Sequence, residues 1–286
     1  MTRHRLLVVR TRYWKPNEDY INEIARALKG KIREGDIIVV SEKAISTATN
    51  NIADESRVNP SFTARFLARF WMRHIWAYIL GPICHVKKET ILHFRNYPVK
   101  EGSAHKQVVL QNCGFLQALA HGSEGGIDGS NLPYSYVSLP LDEAPRTVKT
   151  IRSCLKRKLD VDVTVMIADT DKTYSWRNFH FSPRSKPISG IRSLKGVAGY
   201  VLGRFLRFKK RATPLAIAGT RMSVQEALDM AELASRARGF GAGRTIWEMA
   251  SNLDVSLTSV TWEMLEKAKH TPLVVIRFKE SYASCP

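Results

Sequence analysis

Cysteine is scarce in this chain and follows no pattern. Cys84, Cys113, Cys154 and Cys285 form no CxxC pair; this excludes a zinc-ribbon spacing and a dense disulfide framework, and fits a reducing cytoplasm. A membrane span needs about 20 nearly uncharged apolar residues. The most apolar stretch, 66–86, carries Arg69, Arg73 and His74 and breaks at Gly81-Pro82. It therefore reads as an aromatic-rich amphipathic helix for core or subunit packing, with contact to a membrane surface as the alternative. The apolar run Leu6–Val9 is too short for a secretory signal. GxxxxGK[ST], GxSxG and HExxH are all missing, and the eight histidines show no ligand spacing. Gly239, Gly241 and Gly243 follow a helical pattern rather than a strand, so they read as a helix C-terminal loop, not a dinucleotide fingerprint. Acid is short as well: 26 Asp and Glu face 44 Lys and Arg, leaving +18, a field that gathers anions.

What is present reads as a folded α/β chain. Hydrophobic residues at 44% and charged residues at 24% are ordinary for a globular protein, and 286 residues suit one large domain or two intertwined lobes. Residues 5–9 predict a strand, and Ile21, Ile24 and Leu28 form the stripe of a helix over 17–29. DIIVVS at 36–41 predicts a strand buried on both faces. Residues 87–106 read as irregular and basic, and 106–111 as strand-like. Pro145 opens a helix carrying Val148, Ile151 and Leu155. Val161, Val163, Val165 and Ile167 alternate in a strand that ends at Asp169-Thr170-Asp171, which places this acidic group at a strand-to-loop edge, where α/β sheets bind ligands. Residues 214–218 and 272–278 add strands, and Ser223 with Glu226 fits a capping box.

From Lys172 to Gln225 there is no acid but twelve Lys or Arg, Arg177, Arg184 and Lys186 among them. The segment reads either as an anion-binding surface or as a solvated basic face. Because it follows Asp169 directly, carboxylates for a metal and cations for an anion would share one neighbourhood, as phosphoryl chemistry requires. Oxygen ligands on short loops suit Mg²⁺ or Mn²⁺, and Asp128 in GGIDGSN and Asp169-Thr170 are the candidates; each Asp fits a turn or helix cap equally well.

GGIDGSN at 125–131, LPLD at 139–142, VMIADT at 165–170 and ISGI at 188–191, in this order and spacing, resemble the coenzyme F-420 γ-glutamyl ligase family. EGDIIVVSEKAIS at 34–46 resembles its nucleotide-loop region and 272–277 its last strand. The resemblance implies a single domain over 1–286 in a family-specific α/β fold of mixed sheets and packed helices without a P-loop. Its two intertwined lobes would be 1–58 plus 106–286, with a helical, basic segment at 59–105 between them. It implies a cytoplasmic homodimer that uses GTP, or ATP, with Mg²⁺ or Mn²⁺ to join L-glutamate to a carboxylate of an anionic, phosphate-bearing coenzyme through an acyl phosphate. Asp128, Asp169 and Thr170 would hold the metal, and Ser41, Lys43, Ser46 and Asn131 the nucleotide. Arg177, Arg184 and Lys186 would receive the acceptor. Where the family carries a second lysine, this chain has Thr47. A folate or pterin acceptor is the alternative within ligase chemistry. A nucleic-acid-binding protein on the same scaffold is the alternative outside it, drawn from +18 and from Trp176, Phe179, Phe181, Phe205 and Phe208 interleaved with cations.

Overall fold

The computed structural model describes residues 4–122 and 124–278. Cys285 lies outside them; Cys84, Cys113 and Cys154 are free thiols.

The chain runs β1 (His4–Val9), α1 (Tyr20–Leu28), β2 (Ile37–Ser41), α2 (Glu42–Ala48), β3 (Ile52–Asp54), then helices α3 (Phe62–Phe66), α4 (Gly81–Ile83), α5 (Lys88–Arg95), α6 (Val99–Asn112) and α7 (Phe115–Ala118). A π-helical run, Leu67–Leu80, joins α3 to α4. Next come β4 (Tyr136–Ser138), α8 (Ala144–Leu159), β5 (Thr164–Trp176), β6 (Phe179–Ser182), β7 (Arg192–Ser193) and α9 (Val197–Phe205). β8 (Lys209–Ala218), α10 (Val224–Arg238), α11 (Ile246–Asn252), α12 (Trp262–Lys267) and β9 (Leu273–Phe278) complete it.

The main sheet has the order β1-β9-β2-β5-β6-β7, with β8 also paired to β5. β2 and β5 are parallel and the other main neighbours antiparallel, apart from the short β6–β7 pair. Alternation along β2 explains its unbroken apolar run. Ile38 and Val40 enter a core with α1 and α8, while Ile37 and Val39 enter a second core with α10, so the sheet is covered on both faces. The Ser223–Glu226 capping box that opens α10 is present, and Pro145 occupies the first turn of α8.

The strand-like reading of 106–111 is corrected: these residues lie in α6, and most of 87–106, read as irregular, is helical in α5 and α6 with a break at 96–98. Val108, Val109 and Leu110 form a short apolar run, and such a run cannot tell a buried helix from a strand by periodicity. Tertiary contacts decide, for Val108 and Val109 pack against Leu67, Ala118, Ile127 and Val137. The amphipathic reading of 66–86 matches the structure on its inner side, where Ala68, Met72, Trp76 and Ala77 form a core with Phe94, Tyr97 and Tyr200.

Candidate active site

The site is set by what happens to β5 beyond Ala168. Through Ser41↔Ala168, β5 is flanked by β2; from Tyr174 it is flanked on that side by β6. Between these pairings β5 keeps only β8, and the register against β8 slips between Asp169 and Lys172, and again between Ile167 and Ala168. The second slip lies at Pro214, which lacks the N–H a regular ladder would use. Asp169-Thr170-Asp171 is therefore a bulge inside a long strand, not the strand-to-loop edge predicted from alternation. The bulge lies beside the end of β2, where Ser41 leads into α2.

A cleft of about 1550 Å³ opens there. Ser41, Lys43, Asp128, Asn131, Asp169 and Thr170, all singled out from sequence, line it. Lys43 pairs with the Asp128 carboxylate and donates to the Ser130 hydroxyl (2.6 Å) and carbonyl (3.0 Å). The other Asp128 oxygen accepts the Ser130 N–H at 2.7 Å, and reciprocal backbone bonds with Ser138 tie Asp128 to β4. Asp169 accepts the Thr170 N–H at 2.6 Å. Its second oxygen, Oδ2, lies 3.1 Å from Arg184, whose other terminal nitrogen donates to buried Glu42 at 2.6 Å.

The remaining sequence candidates lie elsewhere. Ser46 is buried inside α2 and does not line the cleft, although its neighbour Thr47 does. Arg184 is buried in ion pairs with the acids. Arg177 is exposed at the β5–β6 turn, over the Trp176 ring, and exposed Lys186 pairs with Asp142; neither lines the cleft. The acid-free stretch is answered by acids from α10: Lys172 pairs with Glu232, and Lys209 and Arg211 with Asp229.

Burial drives the Asp171 carboxyl well above its usual range, and the charges of Asp169, Asp128 and Glu42 add to this against the pull of Arg184. Burial likewise raises Glu42; Arg184 opposes this and Asp169 reinforces it. Several acids thus share a low-dielectric corner, a combination that a cation relieves. Oδ2 of Asp171 is buried without a hydrogen-bond donor, and Oδ2 of Asp169 has its ion pair with Arg184 but no well-aligned hydrogen bond. Among the described residues no three carboxylate, His or Cys side chains converge on a metal position. One or two carboxylates with phosphate oxygens and water suffice for Mg²⁺, and Asp128, Asp169 and Thr170 supply oxygens of that kind to one cleft.

The glycines of GGIDGSN serve packing. Gly126 has φ +100°, and a Cβ there would coincide with the Arg184 guanidinium. Asn131 is fully occupied by the loop after α10: its amide donates to the carbonyls of Phe240 (3.1 Å) and Gly243 (2.9 Å), and its oxygen accepts the Ala242 N–H at 2.6 Å. It shapes the wall of the cleft.

Sequence reading missed a second charged cluster on the same cleft. His105 bridges Glu55 and Glu124 at 2.6 Å each. Fully buried Lys106 donates to Glu124 (2.9 Å) and to the Ala120 carbonyl (2.8 Å). Burial lowers the His105 pKa, but the two carboxylates outweigh it and hold it at about 10. Burial holds nearby His121 neutral, with a pKa lowered to about 3. No local pattern marks these residues, since the partners come from β3's end, α6 and the GGID loop. Arg236, Arg238 and Arg244 also line the cleft, and sequence reading singled out none of them.

A family model described as F420-0:Gamma-glutamyl ligase matches residues 8–277. The chain belongs to the F420-0:gamma-glutamyl ligase family. An uncharacterized protein of Methanocaldococcus jannaschii, MJ1361, is 37% identical over 292 residues, covering 97% of this chain and 98% of the relative. Membership in this ligase family spans the bulge, the GGIDGSN loop and the helical segment alike. The described residues contain no helix long and apolar enough to cross a membrane.

Proposed function

We propose that the protein is a nucleotide- and divalent-metal-dependent ligase that joins the amine of L-glutamate to a carboxylate of an F-420-0-like, phosphate-bearing coenzyme. The observation that carries this reading is the meeting of Lys43, Asp128 and Ser130 with Asp169 and Thr170 in one cleft, in a chain whose family model covers 8–277. A carboxylate is a poor electrophile. Transfer of the terminal phosphoryl group of GTP or ATP makes it an acyl phosphate, which the glutamate amine attacks with loss of phosphate.

Asp128, Asp169 and Thr170 would hold Mg²⁺ or Mn²⁺, which when bound neutralises phosphate charge. Lys43 at the start of α2 and Arg236 and Arg238 at the end of α10 present cations to the same space, and Arg184 orients the Asp169 carboxylate. The wall of α5 and α6 lengthens the cleft for a long acceptor. The active form is a cytoplasmic homodimer, which sedimentation velocity tests directly.

Purified protein with GTP or ATP, Mn²⁺ and glutamate releases phosphate only when an acceptor is added. Asp128→Ala and Asp169→Ala each lower that release by about 100-fold or more while keeping the native circular dichroism. No release with deazaflavin, folate or pterin acceptors would remove the proposal, and a preference for folate over the deazaflavin would move it to a pterin ligase. The nucleic-acid reading finds less support, because acids of α10 neutralise much of the basic stretch.

A further inference from the structure

The outer face of the helical segment has no role in the cleft. Phe62, Phe66, Phe70, His74 and Tyr78 recur every four residues along α3 and the π-helical run. They form one exposed stripe, with Phe62 84%, Phe66 46%, Phe70 44% and Tyr78 59% accessible. Phe66, Phe70 and His74 stack in a column with centroids 5.2 and 5.1 Å apart. Ile79 and Ile83 extend the apolar surface, and Arg65 and Arg69 stand exposed beside it. Arg95 lies over the Tyr78 ring, 4.9 Å from its centroid. From Ser56 to Lys88 the sequence contains no Asp or Glu, and neither Arg65 nor Arg69 meets an acid among the described residues.

A partner for this face must cover aromatic and aliphatic side chains and also balance cations. A second copy docked face to face by a two-fold axis presents the same surface, so it offers no carboxylate to Arg65 or Arg69, and burying unpaired guanidinium groups is costly. A nucleic acid supplies phosphates and bases for stacking but nothing for Ile79 and Ile83. An anionic bilayer surface supplies both: headgroup charge for the arginines and acyl carbon for the rings and isoleucines. The helix cannot cross the bilayer, so it would lie in the interface plane. We infer that the Phe62–Ile83 face docks the protein reversibly on anionic lipid membranes.

Vesicle sedimentation of the full chain tests this at about physiological salt. The protein should pellet with phosphatidylcholine vesicles containing phosphatidylglycerol and stay in the supernatant with phosphatidylcholine alone. Arg65→Ala and Arg69→Ala should each weaken partitioning by about fivefold. Phe66→Ser with Phe70→Ser and Tyr78→Ser leaves the net charge intact and should remove most binding. These positions are exposed, so the variants should keep the native thermal midpoint. A charge-preserving control, Phe205→Ser on α9, should bind like the wild type. Full binding by the triple variant would overturn the inference, because attraction would then come from net charge alone. A failure to pellet with anionic vesicles would also overturn it, whether accompanied by a dimer that Phe66→Ser dissociates or by oligonucleotide binding sensitive to the triple variant. None of these readouts depends on ligase activity.

Discussion

Arg184 shows how one side chain ties the site to the core. One terminal nitrogen reaches Glu42 and the other Asp169, and Gly126 leaves room for the guanidinium to pass. Arg184→Met strands Glu42 in the interior, so urea unfolding should show a loss of about 3–5 kcal/mol, and adding Glu42→Gln should return part of it. The His105 cluster makes a different prediction. The His105 pKa lies at about 10 in the folded protein against about 6.5 unfolded, so its contribution is complete below about 6.5 and fades as pH climbs through 10. The His121 pKa lies at about 3, so the unfolded chain alone takes up that proton and stability drops as pH falls from about 6.5 toward 3. The thermal midpoint should therefore peak near neutrality, and His105→Gln should flatten the alkaline limb; it should also soften the acid limb, because against the pull of burial Lys106 and His105 together hold the Glu124 carboxyl down at about 2. At this scale Asp128, Asp169 and Lys43 were legible because the motif names them. Arg238 and His105 were not, because their meaning comes from partners distant in the chain.

At the scale of elements, β2 and β9 were readable because sheets covered on both faces need uninterrupted apolar runs. The start of α10 was readable because Ser223 and Glu226 cap it by local geometry. Ser223→Ala should lower stability by about 1 kcal/mol in chemical denaturation, since it removes the bond that the Glu226 N–H donates to the Ser223 hydroxyl and leaves only the Ser223 N–H donating to Glu226. α5 and α6 were not readable. Gly102 and buried Lys106 weaken their helical pattern, and the helices form because Phe94, Tyr97, Val108 and Val109 find partners in the π-helical run and the GGID loop. The bulge in β5 was missed for a related reason: acids after an apolar strand look like a loop until Thr213 and Ala212 of β8 are seen to continue the pairing.

For the molecule as a whole, +18 is not spread evenly. The sheet and α10 pair many of the cations internally, and the cleft and the Phe62–Ile83 face keep others available. If the cleft takes a nucleotide with Mn²⁺, ligand at one hundred times its dissociation constant should add about 2.7 kcal/mol to unfolding, and Asp169→Ala should abolish that gain in a calorimetric scan. The bulge also imposes a rule on permissible deletions. Strand side chains alternate with a period of two, and β5 has two additional residues, Thr170 and Asp171, between its pairings with Thr213 and Ala212. Two is an even number, so sidedness carries through the irregularity: Tyr174 still stacks on Phe181 and Thr173 still reaches Thr213. Excising both residues should yield a folded but inert protein. Excising one inverts every position out to Trp176 and should prevent folding, so the chemistry can be cut out of this strand only in pairs.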